Sequence, residues 1–131
     1  MRKTKNGGGP RLSRILVVED DDSVRSFTAR ALAGAGYNVD TAEDGDIGLD
    51  RIGREAGGYD LVLSDIRMPV MDGIEMARRA ASAFPGLRIL LMTGYAEQRE
   101  RAAELDGIVV GVVNKPFTLD ELRREVGRAI A

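Results

Sequence analysis

Four acidic residues follow directly after a short apolar run near the beginning of the chain. The run is Ile15–Val18, and the acids are Glu19, Asp20, Asp21 and Asp22. Neighbouring carboxylates repel one another, and each raises the pKa of the next unless a cation lies between them. The pattern therefore indicates one of two arrangements: either most of these side chains point into solvent, or a cation binds among them.

Three later residues could take part in the same chemistry. Asp65 and Thr93 each follow an apolar run, and Lys115 comes shortly after a valine-rich one. Lys115 stands out because the other two lysines, Lys3 and Lys5, lie near the N-terminus and every other basic residue is arginine. A compact ammonium acts as a point-charge partner for phosphate or carboxylate, unlike a planar guanidinium. Because a carboxylate beside a divalent cation can attack phosphorus, these residues favour phosphoryl chemistry at Asp65.

Composition excludes several classes of function. With 131 residues, 44% of them hydrophobic and 31% charged, the chain is expected to form one soluble globular domain. The net charge of −2 gives no general attraction to nucleic acid or to an anionic membrane. The chain has no cysteine and no histidine, which excludes disulfides, thiolate catalysis and imidazole ligands. No apolar stretch is typical of a secretion signal or a membrane span, so we expect a cytoplasmic protein.

Apolar runs alternate with segments of helical period along the chain. Strands are predicted at Ile15–Val18, Tyr37–Ala42, Tyr59–Ser64, Leu87–Met92 and a run ending at Val113, and helices near 22–34, 45–56, 72–83, 97–105 and 118–130. Five such units imply a parallel sheet with helices on both faces. The predicted fold is a doubly wound, flavodoxin-like α/β sandwich of strand order 2-1-3-4-5. Residues 1–13, polar and glycine-rich, are predicted to be a flexible tail, and 14–131 the folded domain.

This fold predicts that the chemically useful residues meet. Ligands in such sheets bind outside the carboxyl ends of the strands. In the expected order the first, third, fourth and fifth strands are neighbours, and they end near Glu19 and Asp20, Asp65, Thr93 and Lys115. Three carboxylates, one hydroxyl and one ammonium are therefore expected in one cleft.

Four motifs together resemble the receiver domain of two-component response regulators, the CheY-like domain. They are VVEDDDS, DLVLSDIRMPVMDG, LLMTGYA and NKPF, and the resemblance covers 14–131. It implies these roles: Asp65 as phosphoacceptor, Asp20 as metal ligand with Glu19 as its acidic neighbour, the Arg67 carbonyl as a further ligand, Thr93 as switch hydroxyl and Lys115 as phosphate partner. It also implies Mg²⁺ as the cofactor and a cis peptide bond at Lys115–Pro116. Asp21 and Asp22 are instead expected to start the first helix.

The resemblance further implies a mechanism and partners. Asp65 would attack a phosphohistidine supplied by a histidine kinase or a histidine phosphotransferase, and Gly94 would leave the site open to that imidazole and to water. The protein would catalyse only its own phosphorylation and dephosphorylation. With no effector domain in the sequence, output would be phosphorylation-dependent contact with another protein, made by a monomer or weak dimer.

A narrower resemblance concerns stand-alone alphaproteobacterial receivers of the CpdR type. It is carried by EDDDSVRSF, MTGYAEQRER and NKPFTLDEL, and it implies a role in cell-cycle control and regulated proteolysis with a partner such as the ClpXP protease. Two alternatives stay open. One is a receiver detached from a hybrid histidine kinase, and the other is a Mg²⁺-dependent phosphatase of the haloacid dehalogenase type. The phosphatase would need an acid two residues after Asp65, where the chain has Arg67.

One position departs from the receiver pattern. Receivers often carry an aromatic residue three positions before the lysine, and here that position is Val112. Because valine cannot act as a rotating ring, we predict that Tyr95 and the 94–105 segment read out phosphorylation through Thr93. The alternative is that Tyr95 only packs over Val112.

Overall fold

The computed structural model describes residues 12–131, with the side chains of Ala96 and Glu97 excepted. The predicted tail, 1–13, therefore lies outside the described residues apart from Leu12 and Ser13. Strands and helices alternate throughout the rest. They are β1 Arg14–Val18, α1 Asp22–Gly34, β2 Asn38–Ala42, α2 Gly45–Arg54, β3 Leu61–Asp65, α3 Gly73–Ala83, β4 Ile89–Thr93, α4 Ala96–Ala103, β5 Gly111–Asn114 and α5 Leu119–Ile130.

The five strands form one parallel sheet in the order β2-β1-β3-β4-β5, which confirms the predicted fold. Successive side chains of a strand point to opposite faces of the sheet. Leu16 and Val18 accordingly enter the core beneath α2, α3 and α4, whereas Ile15 and Val17 enter the core beneath α1 and α5. Because both faces are covered, β1, β3 and β4 read as nearly continuous apolar runs.

The ends of several elements differ slightly from the predicted ones. The third and fourth strands continue one residue beyond Ser64 and Met92, so that Asp65 and Thr93 are their last residues. Both residues still keep a partner in register on the neighbouring strand, which lets a polar side chain stand at the edge without ending the ladder. The second helix ends at Arg54 rather than at residue 56, where a φ of 51° excludes a right-handed helix.

Side chains cap four of the five helices. Asp21, Asp44, Asp72 and Thr118 accept hydrogen bonds from the first turns of α1, α2, α3 and α5. The prediction that Asp21 starts the first helix is confirmed, and Asp22 lies in its first turn. Helix α4 begins after Tyr95, whose side chain makes no capping hydrogen bond. None of the helices among residues 12–131 combines the length and apolar character that a membrane span requires.

Candidate functional site

The sheet register brings most of the predicted site residues to its carboxyl edge. Glu19 and Asp20 follow β1, Asp65 ends β3, and Lys115 follows β5. These four side chains line one open cavity of about 700 Å³. Thr93, at the end of β4, is fully buried and is not part of its lining. The predicted cis peptide bond at Lys115–Pro116 is confirmed.

Asp65 is fixed by its strand and by a close approach of α3. The residue is only 6% exposed, and its Oδ1 accepts a hydrogen bond of 3.0 Å from the Ile66 amide. A Cβ on Gly73 would lie 2.1 Å from the carbonyl oxygen of Asp65. Only glycine therefore allows the first residue of α3 to pack against this strand end. The Asp72-Gly73 pair thus supplies both the cap of α3 and the space it needs.

Three carboxylates and one ammonium meet in the cavity. Glu19, Asp20 and Asp65 each offer an oxygen within 4.8 Å of the others. Lys115 Nζ donates to Glu19 Oε1 at 2.9 Å and lies 3.4 Å from Asp65 Oδ1. Glu19 is 1% exposed, whereas Asp20 faces solvent. The group carries more negative than positive charge, and much of that charge is out of contact with water.

This imbalance appears in the pKa values of the groups. Burial raises the pKa of Glu19 to about 7, with Lys115 acting against the rise and the charge of Asp65 adding to it. Burial also raises the pKa of Asp65, although Lys115 opposes it. For Lys115, burial lowers the pKa, but Glu19 and Asp65 more than offset it, so its pKa lies above the ordinary value. The lysine stays charged, and the carboxylates favour an additional cation.

The donor set fits a hard divalent cation. Mg²⁺ prefers oxygen ligands, usually binds to a small number of carboxylates, and keeps several water molecules in its coordination shell. Glu19, Asp20 and Asp65 offer that set. The other two acids of the run are used elsewhere: Asp21 caps α1, and Asp22 pairs with Arg25 at 2.5 Å. Arg67 lines the same cavity, and the role predicted for its carbonyl stays a prediction.

The Thr93 hydroxyl has a partner that the sequence analysis missed. Its oxygen accepts from the Tyr95 amide at 3.1 Å, and its proton is donated to Oε1 of Gln98 at 2.7 Å. Gln98 lies in α4 and is 8% exposed. The sequence spacing could have indicated this, because Gln98 lies about one turn before Ala102 and two turns before Leu105, on the same helical face. All three residues are buried in the structure.

Arg67 and Tyr95 form a contact across the rim of the cavity. The guanidinium carbon of Arg67 lies 5.0 Å from the centre of the Tyr95 ring, a cation–π distance. Arg67 belongs to the loop after β3 and Tyr95 to the loop after β4, and Tyr95 is 48% exposed. Val112 was the neighbour of Tyr95 expected from the sequence, and the contact with Arg67 was not predicted. The switch role of Tyr95 stays a prediction.

Comparison with known proteins identifies the family. A family model of the response regulator receiver domain matches residues 15–127. The chain belongs to this family. It is therefore a receiver rather than a phosphatase of the haloacid dehalogenase type, and the resemblance inferred from the motifs is confirmed.

Individual relatives cover nearly the whole receiver. This chain is 38% identical to the response regulator receiver protein CpdR of Brucella abortus, over 91% of this chain and 98% of that protein. The solved structure of TrrA from Thermotoga maritima, a complex with Mg²⁺-BeF, covers 90% of this chain and 99% of its own at 34% identity and a TM-score of 0.81. The receiver domain of the hybrid histidine kinase CckA covers 91% of this chain and 100% of its own at 33% identity and a TM-score of 0.77.

Proposed function

We propose that this receiver accepts a phosphoryl group on Asp65 from a phosphohistidine and signals by phosphorylation-dependent contact with a partner protein. One observation carries the proposal. Asp65, at the end of a buried strand, has an ammonium 3.4 Å from its carboxylate and two further acids within 4.8 Å, in a cavity open to solvent. A nucleophile, a phosphate partner and a cation-binding group are the parts that phosphoryl transfer to a carboxylate requires.

The transfer is an in-line displacement at phosphorus. A carboxylate oxygen of Asp65 forms the new phosphorus–oxygen bond as the phosphorus–nitrogen bond to the donor imidazole breaks. The electron pair of that bond stays on the imidazole nitrogen, which takes a proton from water. Lys115 offsets charge on the phosphoryl oxygens. Gly94 lines the cavity beside Lys115 and leaves room for the donor ring.

Mg²⁺ is the cofactor we assign to the acidic group. Glu19, Asp20 and Asp65, with the carbonyl of Arg67, would hold the ion. When bound, it supplies a positive charge that neutralises the phosphoryl oxygens and the carboxylates together. The similarity to TrrA, whose structure is a complex with Mg²⁺-BeF, supports the choice of metal.

The upstream partner in this proposal is a histidine kinase or a histidine phosphotransferase, and the downstream partner is a protein. The protein would act in the cytoplasm and catalyse only its own phosphorylation and dephosphorylation. Similarity to CpdR over 91% of this chain supports a cell-cycle role with a partner such as the ClpXP protease. Similarity to the receiver domain of CckA favours a second candidate, a receiver that acts within a hybrid histidine kinase relay. Affinity capture of partner proteins, with and without beryllofluoride on the receiver, would distinguish the two candidate roles.

We propose that Tyr95 and the 94–105 segment carry the readout. Tyr95 is half exposed at the rim of the cavity, and α4 starts without a side-chain cap. Nuclear magnetic resonance spectra recorded with and without beryllofluoride test this. Tyr95 in one rotamer and an unchanged 94–105 segment would refute the readout.

Intact-mass measurement tests the central proposal. Acetyl phosphate with Mg²⁺ should add a single phosphoryl group to the protein, and Asp65→Asn should abolish that adduct. Asp40→Asn, in the middle of the neighbouring edge strand β2, is the matched control and should be phosphorylated like the unaltered protein. An undiminished adduct on the Asp65→Asn protein would show that the phosphoacceptor has been misassigned.

A further inference from the structure

We infer that Gln98 is a positioning residue that competes with the phosphoryl group for the hydroxyl proton of Thr93. The inference rests on the proposed function and deepens it, because it names what opposes phosphorylation within the same site. It follows from a buried hydrogen bond that the receiver must give up when Thr93 turns to a new acceptor.

A threonine hydroxyl has a single proton to donate. In this structure Gln98 Oε1 accepts that proton at 2.7 Å, with the Tyr95 carbonyl as a longer second acceptor at 3.4 Å, while the hydroxyl oxygen accepts from the Tyr95 amide at 3.1 Å. The short distance and the burial of both residues indicate a well-formed bond. Thr93 therefore cannot donate to a phosphoryl oxygen on Asp65 and keep its bond to Gln98. One acceptor must replace the other.

Loss of the hydrogen bond to Thr93 would destabilise the present position of α4. Gln98 is 8% exposed, so its amide oxygen would be left without a donor in a buried place if α4 stayed where it is. Movement of the helix towards solvent would let water replace the lost bond. Helix α4 has no side-chain cap hydrogen bond, and Arg101 in α4 and Glu104 at its C-terminus form partly exposed ion pairs with Asp72 and Arg78 of α3 and its cap. Gln98 thus links occupancy of the Asp65 site to the position of α4.

Two substitutions of Gln98 should act in opposite directions. Gln98→Met keeps the length of the side chain and removes the strong acceptor, so beryllofluoride should bind about tenfold more tightly in the presence of Mg²⁺. Gln98→Glu offers a charged acceptor, which strengthens the bond, and should weaken beryllofluoride binding by about tenfold. Glu100→Met, at an exposed position of the same helix, is the control and should leave the affinity unchanged.

The decisive measurement repeats the titrations in a Thr93→Val background. Calorimetry should show that the effect of Gln98→Met disappears there, since no hydroxyl remains to be released. In the same background, Gln98→Glu should change the beryllofluoride affinity only through the long-range effect of its negative charge. Equal shifts in both backgrounds, or weaker binding by Gln98→Met, would overturn the inference. If Gln98→Met fails to unfold cooperatively on heating, the comparison of Gln98→Glu between the two backgrounds decides.

The two levels of the proposal fail in different ways. If the unaltered protein binds beryllofluoride, Asp65→Asn does not, and no coupling between Gln98 and Thr93 is found, only the role of Gln98 is wrong. If Asp65→Asn binds beryllofluoride as well as the unaltered protein, the proposed function is wrong and the inference falls with it.

Discussion

Around Asp65, at the carboxyl edge of the sheet, three carboxylates meet one ammonium, whereas at the amino edge arginines face the acids. There Arg14 pairs with Glu55 at 2.6 Å and Arg51 with Asp40 at 3.4 Å. Tyr59 donates to Asp40 at 2.7 Å, and the Arg14 guanidinium lies 4.8 Å from the centre of its ring. These acids and arginines are about a third exposed. Contact with the acids raises the pKa of Arg14, so its charge is constant at all ordinary pH values.

The two edges differ in whether a ligand is needed. At the amino edge, opposite charges touch in partly solvated positions, so no further ion is required. At the carboxyl edge, Glu19 and Asp65 are buried beside a single ammonium, and burial without full compensation raises the pKa of both. The carboxyl edge is therefore incomplete by itself, and a cation or a proton completes it.

The backbone shows a second difference between the two edges. Loops that lead into strands, at the amino edge, have a positive φ at Gly36, Gly57, Gly86 and Gly107, and also at Ala56, which is not β-branched. In the loop after β3, at the carboxyl edge, a φ of 70° falls on Val70, which is 82% exposed. A β-branched residue is strained in this region. Strain at a β-branched residue is therefore found in the loop that follows Asp65.

The largest effect should come from Glu19 in metal-free protein. Its pKa of about 7 lies above the ordinary 4.5, so stability should fall as pH rises between these values, where only the folded form holds the proton. Glu19→Gln stays neutral and should be more stable than the unaltered protein at pH 8, by an amount on the order of a few kcal/mol, since one pKa unit is about 1.4 kcal/mol.

Urea unfolding in EDTA at pH 5 and pH 8 measures this difference. Glu55→Gln, at the amino edge, is the control and should lose stability equally at both pH values. If the free energy of unfolding changed equally with pH for Glu19→Gln and the unaltered protein, the group that takes up the proton would not be Glu19.

The second-largest effect is expected on the Mg²⁺ affinity, which substitutions at the carboxyl edge should lower and substitutions outside it should not. Asp20→Asn removes a charged oxygen from the acidic group and should weaken Mg²⁺ binding by at least about tenfold. Glu19→Gln should act more mildly, because Glu19 already bonds to Lys115. Asp40→Asn should have no effect. Calorimetric titration with Mg²⁺ would contradict the assignment if all three variants bound equally well.

Relief of backbone strain should give a smaller effect. Val70→Asn places a residue that tolerates positive φ at an exposed site, and it should stabilise the protein by about 1 kcal/mol. Val110→Asn is a matched control, since Val110 is also exposed and is not among the positive-φ residues. Thermal unfolding measures both. A gain from Val110→Asn as large as that from Val70→Asn would show that removal of exposed apolar surface, rather than strain, is responsible.

The smallest effect is expected at the amino edge. Arg14→Met keeps an apolar stem over Tyr59 and removes partly exposed ion pairs, so it should cost about 1 kcal/mol or less. Its Mg²⁺ affinity and its pH dependence between 5 and 8 should match those of the unaltered protein. A change in either would mean that the two edges are coupled through the sheet.

The elements, their order and the place of the site could all be predicted from the amino-acid sequence. Strands β1, β3 and β4 are buried on both faces, so their apolar runs are continuous and their ends can be recognised within two residues. Parallel strands carry their carboxyl ends to one edge, and that rule was enough to bring Glu19, Asp65 and Lys115 together before any contact was known.

The contacts among these groups, in contrast, could be known only from the three-dimensional packing. Lys115 bonds to Glu19, 96 positions away, Arg67 stacks on Tyr95, and the proton of Thr93 is given to Gln98. Periodicity specifies the face of an element on which a residue lies. It does not specify the path of a loop or the seating of a helix such as α4, and a hydrogen bond depends on these to within a few tenths of an ångström.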